Sequence, residues 1–406
     1  MIATLQHPAR RSDRLYDAGF FLVEAFASLE VTAVIVANVH IARSLAIAPL
    51  HANWILNSYL YPLFGCMFIL LAASKHVHRW FCPARLFLTG LMIFAAGNIL
   101  AAVSASALPF FAARAIMGVG GALAFAGQLW TLSNYHRPRM QAPLVWGEAG
   151  AALGIIAGPL VGALFVHFSA EGWRWFFFLN AGLAVVSAIF AHVGLRGRPP
   201  ASDAVEAAEH PSTPRQVRVM TLWQVAVSIL IVGAEYLFSD YMQKEAHKSA
   251  MFVGGMTVLA SIGAIAGSAW AAGLKQLDPL PKLSALGLLS ALALLAFCLD
   301  RAWYVAAGAP IFAAGLFMGL ASVSIYTNIV KVSHPSRFLS RSMVYLIAMQ
   351  MGNALGVQMV GLAELNRISV LGTGLMVGAI PAALTAAILL RQFINPLQLI
   401  PLDNSE

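Results

Sequence analysis

Apolar stretches recur along the chain at about Ala18–Ala42, Ala52–Ala73, Leu86–Ala105, Leu108–Ser133, Pro143–Phe168 and Trp175–Leu195, each closed by a short polar loop. A second set follows at about Val219–Tyr241, Met251–Leu274, Leu283–Leu299, Trp303–Val330, Met343–Leu362 and Leu371–Phe393. A helix needs roughly 20 apolar residues to cross the hydrocarbon core of a bilayer, so the pattern predicts twelve spanning helices, the ninth being the shortest. Between the two sets, Arg196 to Arg218 carries Pro199, Pro200, Asp203, Glu206, Glu209, Pro211 and Pro214. That composition cannot bury apolar surface and reads as a solvated linker. The chain therefore divides into a six-helix bundle at 1–195, a linker at 196–218 and a second six-helix bundle at 219–406. The expected fold class is an all-α membrane protein built from two pseudo-symmetric halves.

Composition sharpens this picture. Hydrophobic residues make up 60% of the chain and charged residues only 10%, against about 25% charged in soluble proteins. The formal charge of +8 is dispersed over short loops and not clustered with aromatics, so nucleic acid is not an expected partner. Membrane topology accounts for it instead. Roughly 18 of the 25 lysines and arginines fall on one side of the predicted helices, including Lys75, Arg79, Arg85, Arg137, Arg139, Lys275, Lys282, Lys331, Arg337, Arg341 and Arg391. The positive-inside rule puts both termini and the linker in the cytoplasm. The N-terminus is polar through Arg14 and lacks a small-residue cleavage site, so no cleavable signal is expected. Cys66, Cys82 and Cys298 have no metal-ligand spacing, and His76 and His78 sit in a basic loop, so no metal site is expected.

Glu30 stands out in the first run because it falls near its centre. A charge at that depth costs at least about 2.5 kcal/mol and normally faces a polar cavity or an ion path, so Glu30 is a candidate proton-coupling group. Arg114, several residues inside the fourth run, must find a carboxylate or carbonyl partner for the same reason. Glu235, about two-thirds of the way along the seventh run, is a further candidate, and Glu148 reads as an interfacial or structural partner. Polar or aromatic residues at membrane depth that could line a substrate cavity are Asn57, Tyr61, Gln128, Trp130, Tyr345, Gln350 and Asn353.

Several segments carry a family resemblance. Leu29-Glu30-x-Thr32, followed by Trp54 to Leu60, resembles the first-helix signature of the drug:proton antiporters of the major facilitator superfamily, with Glu30 for the family's Asp and with Ile35 and Val39 at its Asn and Pro positions. Arg114-Ala-Ile-Met-Gly118-Val-Gly120 resembles the superfamily's R-x-x-Q-G-x-G element, Met117 replacing Gln. Gly150, Gly154, Gly158-Pro159 and Gly162 resemble the antiporter motif of the fifth helix; four-residue spacing puts these glycines on one face, and Pro159 permits a bend. Gly172-Trp173-Arg174-Trp175 with Asn180 is similar to the W-R-W-x-x-x-x-N segment of the same branch. Trp173 and Trp175 equally suit an interfacial aromatic belt. Tyr241-Met-Gln243 and Gln350-x-Gly352-x-Ala-x-Gly356 match the second half more loosely. The acidic latch that the superfamily places after helix 2 is missing, since Lys75 to Arg85 contains no acid.

The resemblance implies the major facilitator fold with twelve transmembrane helices, and alternating access around a midplane site. It also implies a proton-coupled exporter of small amphipathic or drug-like molecules in the bacterial inner membrane, monomeric, with the proton as coupling ion and no other cofactor. An importer or uncoupled facilitator of a metabolite keeps the same fold. A membrane-embedded lipid-modifying enzyme would need clustered acid, base or metal groups at one membrane face, and no such motif is present, so no enzymatic activity is expected.

Overall fold

The computed structural model describes residues 11–73, 82–135, 141–196, 215–273, 280–326, 329 and 338–378. Eleven long helices run through them: α1 (Arg11–Ser44), α2 (Trp54–Ala72), α3 (Pro83–Val103), α4 (Ala107–Tyr135), α5 (Gln141–Phe168), α6 (Trp173–Leu195), α7 (Arg215–Lys244), α8 (Ala250–Gly273), α9 (Leu280–Asp300), α10 (Gly308–Tyr326) and α11 (Phe338–Leu365). Residues 370–378 begin a twelfth. Ten of these helices are long and apolar enough to cross a membrane, and in α9 the apolar part is the shorter Leu286–Asp300. The body of the linker (197–214), the loop holding Lys75, His76, His78 and Arg79, and most of the predicted last helix lie outside the described residues.

Two differences from the sequence pattern have local causes. Helix α1 starts at Arg11 and not at Ala18, because its polar first turns are packed: Asp13, Tyr16 and Asp17 are buried. Helix α10 starts at Gly308 and not at Trp303. Ala302 takes a left-handed φ of 55°, and Trp303 N–H closes back on the Cys298 carbonyl at 2.8 Å. That is a helix C-terminal cap, and it turns the apolar run before the next helix can begin. Ala46, His247 and Arg367 adopt the same left-handed backbone just beyond α1, α7 and α11.

The two halves reuse one set of packing partners. In the first, α5 lies on α1 and α4 packs on α2 and α3; in the second, α11 lies on α7 and α10 packs on α8 and α9. Such repetition is the mark of a duplicated bundle. Between the halves, α1 meets α7, α2 meets α11 and α5 meets α8. Glycines permit the tight approaches. A Cβ at Gly150, Gly154 or Gly162 would collide with the carbonyls of Phe21, Ala25 and Ala33 of α1, and one at Gly158 with Thr32 Oγ1. The glycine row of α5 is thus the seam of the first bundle, in keeping with the small-residue contacts of membrane helices.

Candidate functional site

A cavity of about 240 Å³ opens between the halves, walled by residues from both of them. Helix α1 contributes Glu24, Ala27, Ser28 and Val31, an i, i+3, i+4, i+7 stripe that makes one helical face. Helix α7 contributes Glu235 from the opposite side, and α11 adds Gln350 and Asn353. The remaining lining is predominantly aliphatic. Gln128 Nε2 donates to Glu24 Oε1 at 3.0 Å. Glu235 makes no hydrogen bond or ion pair among the described residues, so the wall holds a carboxyl with no fixed counter-charge.

Glu30 is elsewhere. Six residues beyond Glu24 is about 240° around the helix at 100° per residue, so its side chain leaves the cavity stripe and turns into the first bundle. There it is fully buried. Arg114 Nη1 of α4 forms an ion pair with Oε1, and Asn180 Nδ2 of α6 donates to Oε2. Arg114 is also fully buried; its Nε donates to the Ile55 carbonyl at 3.0 Å, and its guanidinium lies 4.8 Å from the Tyr59 ring centre and 5.6 Å from that of Phe177. Tyr59 also lines the cavity, so one aromatic ring touches both the cavity and the ion pair. The three motif residues Glu30, Arg114 and Asn180 therefore converge on one buried knot.

Beyond the cavity, toward the C-terminal end of α1, a band of hydrogen bonds ties the halves together. Asn38 Nδ2 donates to Tyr236 Oη at 2.9 Å, Ser239 Oγ to the Ile35 carbonyl at 3.0 Å, and Gln243 Nε2 to the Val36 carbonyl at 3.0 Å. At the same end, where α2 begins, Gln358 Oε1 of α11 accepts from Asn53 Nδ2 at 2.9 Å, Asn57 Nδ2 at 3.1 Å and the Tyr61 hydroxyl at 3.4 Å. All these side chains are neutral. Asn57 and Tyr61 thus sit in this distal seal and not on the cavity wall, because α2 leans on α11 at that level. Gln128 is packed behind Glu24, Trp130 is buried within the first bundle, and Tyr345 lies edge-on to Tyr326 with ring centres 5.5 Å apart. Of the seven cavity candidates, Gln350 and Asn353 are on the wall.

The Gly-Pro element of α5 has a further consequence. Proline has no N–H, so Pro159 leaves the Ile155 carbonyl without its helical donor. Ser261 Oγ of α8, from the other half, donates to that carbonyl at 3.0 Å. Gly254 of α8 fits against the Pro159 carbonyl itself, 2.7 Å from where a Cβ would stand. Nearby, the W-R-W segment splits in two. Trp173 is fully buried against Phe110 and Phe177, while Trp175 is 64% exposed and fits the interfacial role. Arg174 is a tie: it donates to the carbonyls of Ala102 and Ser104 at 2.7 and 2.6 Å and to Glu171 at 2.6 Å. Glu171 also accepts from Ser44 at 2.7 Å, and these bonds hold its carboxyl below the usual range.

Glu24 is not among the residues that depth or motif singles out, yet the sequence carries a signal for it. It lies in the same run as Glu30 and starts the stripe that continues through Ser28, the arrangement expected of a wall residue.

Comparison with known proteins agrees with this geometry. The family model described as Major Facilitator Superfamily matches residues 20–357. The protein named "Putative multidrug resistance protein MdtD" from Escherichia fergusonii is 29% identical over 172 residues, 42% of this chain and 34% of that protein. Its counterpart from Escherichia coli O81 is 28% identical over the same extent. The matched part is thus about a third of the length of these relatives. Among solved structures, a bacterial homologue of the human lysosomal transporter Spinster, inward-facing and occupied, superposes with a TM-score of 0.68 at 16% identity, covering 94% of this chain and 92% of that one. The same homologue, inward-facing and unoccupied, gives 0.65 at 13% identity.

Proposed function

Since this chain belongs to the major facilitator superfamily and is a multi-pass membrane transporter, we propose that it exports small amphipathic or drug-like molecules across a bacterial cytoplasmic membrane in exchange for protons, with both termini inside. The observation that carries this reading is the pair Glu24 and Glu235, contributed by opposite halves to one largely aliphatic cavity. An unpaired carboxylate cannot be shut into such a space cheaply; the effective cost of burying one ion is several kcal/mol. It must be neutralised first, by a proton or by a cationic substrate. Competition between the two for the same carboxyl is antiport, because the release of one permits the binding of the other.

Glu30 meets its charge requirement in Arg114, so in this state it needs no proton to stay buried. In this mechanism the Glu30–Arg114–Asn180 knot holds α1, α4 and α6 in register behind the cavity, and Glu235 and Glu24 carry the proton. The seal at Asn38, Tyr236, Gln243 and Gln358 closes the outer side, leaving the cavity to be loaded from the cytoplasm. The multidrug names of the partial relatives support an exporter of broad specificity, as does the adaptable aliphatic wall, to which Met318 and Met349 contribute.

The test is transport of a lipophilic cationic dye by proteoliposomes under an imposed pH gradient. Glu235→Gln is expected to abolish the dependence of dye flux on the gradient, and Glu24→Gln to weaken it. Wild-type gradient-driven flux in both variants would overturn the assignment.

A further inference from the structure

At the distal surface, outside the seal, lies a second pocket of about 430 Å³. It straddles the two halves, with His40 and Arg43 at the end of α1, His167 at the end of α5, and Gln243, His247 and Lys248 from α7 and the turn after it. The first residues of α8, Ser249 to Met251, complete it. Its lining holds three imidazoles, a guanidinium and a lysine, and no carboxylate. The N-terminal end of the 24-residue helix α8 adds backbone donors and a positive dipole. Glu171, two bonds from Arg174 and Ser44, is already committed, and the Lys248 ammonium rests 5.0 Å from the Tyr304 ring centre. Arg43 has no hydrogen-bond or carboxylate partner among the described residues.

Two buried atoms in this wall also lack partners, His40 Nδ1 and Gln243 Oε1. Gln243 is only 6% exposed, and its orientation is fixed because Nε2 is spent on the Val36 carbonyl and on Ser239. The free Oε1 therefore asks for a donor, while the rest of the wall asks for anionic oxygens. A metal ion is not the answer, since no three His, Cys, Asp or Glu side chains among the described residues are grouped to hold one.

We infer that this pocket binds a phosphate-type oxyanion that also carries a hydroxyl, and that its occupancy favours the closed distal seal. The shared chemistry fits free hydrogen phosphate or the hydroxyl-bearing phosphodiester headgroup of phosphatidylglycerol. The link to the seal is Gln243, which lines the pocket while its Nε2 holds α1 across the interface. An occupant touching His40 and Arg43 on one half and His247 on the other is bound only while the halves are together at this end, so it must stabilise that state. The pocket's position rests on the proposed topology only for its facing the outer leaflet.

The experiment is thermal melting of the purified protein with inorganic phosphate in detergent, against sodium chloride at equal ionic strength. A second arm uses nanodiscs of phosphatidylcholine with and without phosphatidylglycerol. A saturable rise in Tm is expected in the first arm if the source is free phosphate, and in the second if it is the lipid. Arg43 and His247 are exposed, and asparagine tolerates the left-handed backbone of residue 247, so the Arg43→Ala/His247→Asn variant is expected to keep its ligand-free Tm while half-saturation moves about tenfold or more, the loss of charge-assisted hydrogen bonds. Both arms read binding with no pH gradient and no transport substrate present, so their outcome does not depend on the cavity carboxyls carrying protons. Overturning results are no shift in either arm beyond its control, or an equal shift in the double variant.

Discussion

The bond from Ser261 to the Ile155 carbonyl can be tested as a consequence of proline and not merely as a contact. A neutral intramolecular hydrogen bond contributes about 1 kcal/mol net, and a buried acceptor left unpaired costs about 1–3 kcal/mol. The Ser261 hydroxyl has one proton and a second acceptor within its own helix, the Thr257 carbonyl at 3.2 Å, which places the expected effect near the lower figure. Ser261→Ala should therefore disfavour the seated arrangement of α5 on α8 by about 1 kcal/mol, a shift of about fivefold in the equilibrium between conformations. Pro159→Ala restores an N–H to residue 159 and gives Ile155 its helical donor, so in that background Ser261→Ala should be almost silent. The coupling energy of the double-mutant cycle is then about 1 kcal/mol. A suitable readout is the maleimide labelling rate of Ser322→Cys on the cavity wall, in a protein whose three native cysteines are replaced. An equal change in labelling on Ser261→Ala with Pro159 and with Ala at 159 would refute the reasoning, since the serine would then act independently of the missing N–H.

Other outcomes follow from the same geometry. Glu30→Gln strands the buried Arg114 and should cost about 3–5 kcal/mol, whereas Glu30→Leu/Arg114→Met should cost less than either single change; thermal melting decides, and a double variant worse than both singles would contradict it. Gln358→Leu leaves Asn53, Asn57 and Tyr61 without their common acceptor and should favour the distal-open state by about 1–3 kcal/mol, read as faster labelling of Ser322→Cys from the outer side. For Glu171 the folded carboxyl titrates below its unfolded value, so its contribution is fully present above about pH 4.3 and is lost as pH falls through the depressed folded pKa. The site is exposed, so the difference between wild type and Glu171→Gln should stay under about 1 kcal/mol at neutral pH and vanish in acid, measured by melting across that range.

Much of the fold was legible because the bilayer imposes a simple rule on sequence: spanning helices must be apolar for a fixed length, and the runs could be read directly. The motif residues were legible in kind but not in placement. Depth and the first-helix resemblance both single out Glu30 as a proton-coupling candidate, and neither says which way its side chain turns. Depth does not fix azimuth, and six residues of helix turn it from the cavity face, where Glu24 stands, into the interior of the bundle. Asn57 and Tyr61 were likewise at the right level but on a helix that leans against α11. Their partner, Gln358, lies 301 residues from Asn57, and nothing local in the sequence announces such a pairing. Azimuth could have been read for α1 from the polar stripe Glu24, Ser28 and Thr32, which sequence periodicity does contain.

In the proposed mechanism, the division of labour between neutral and charged groups is what lets one carboxyl control a large movement. Each bond in the distal seal joins neutral partners, and on opening each is exchanged for bonds to water at a net cost of only about 1 kcal/mol. The seal is therefore poised, and weak enough to break in a thermally accessible step. The Glu30–Arg114 pair cannot play this part, because separating it would leave two buried charges, at several kcal/mol each. In that mechanism the pair stays intact while the seal opens and closes. The group whose state changes the balance must sit where the cavity closes and must lack a fixed partner. Among the acidic side chains of the described cavity wall, Glu235 meets both conditions. Glu24 differs by accepting a hydrogen bond from Gln128.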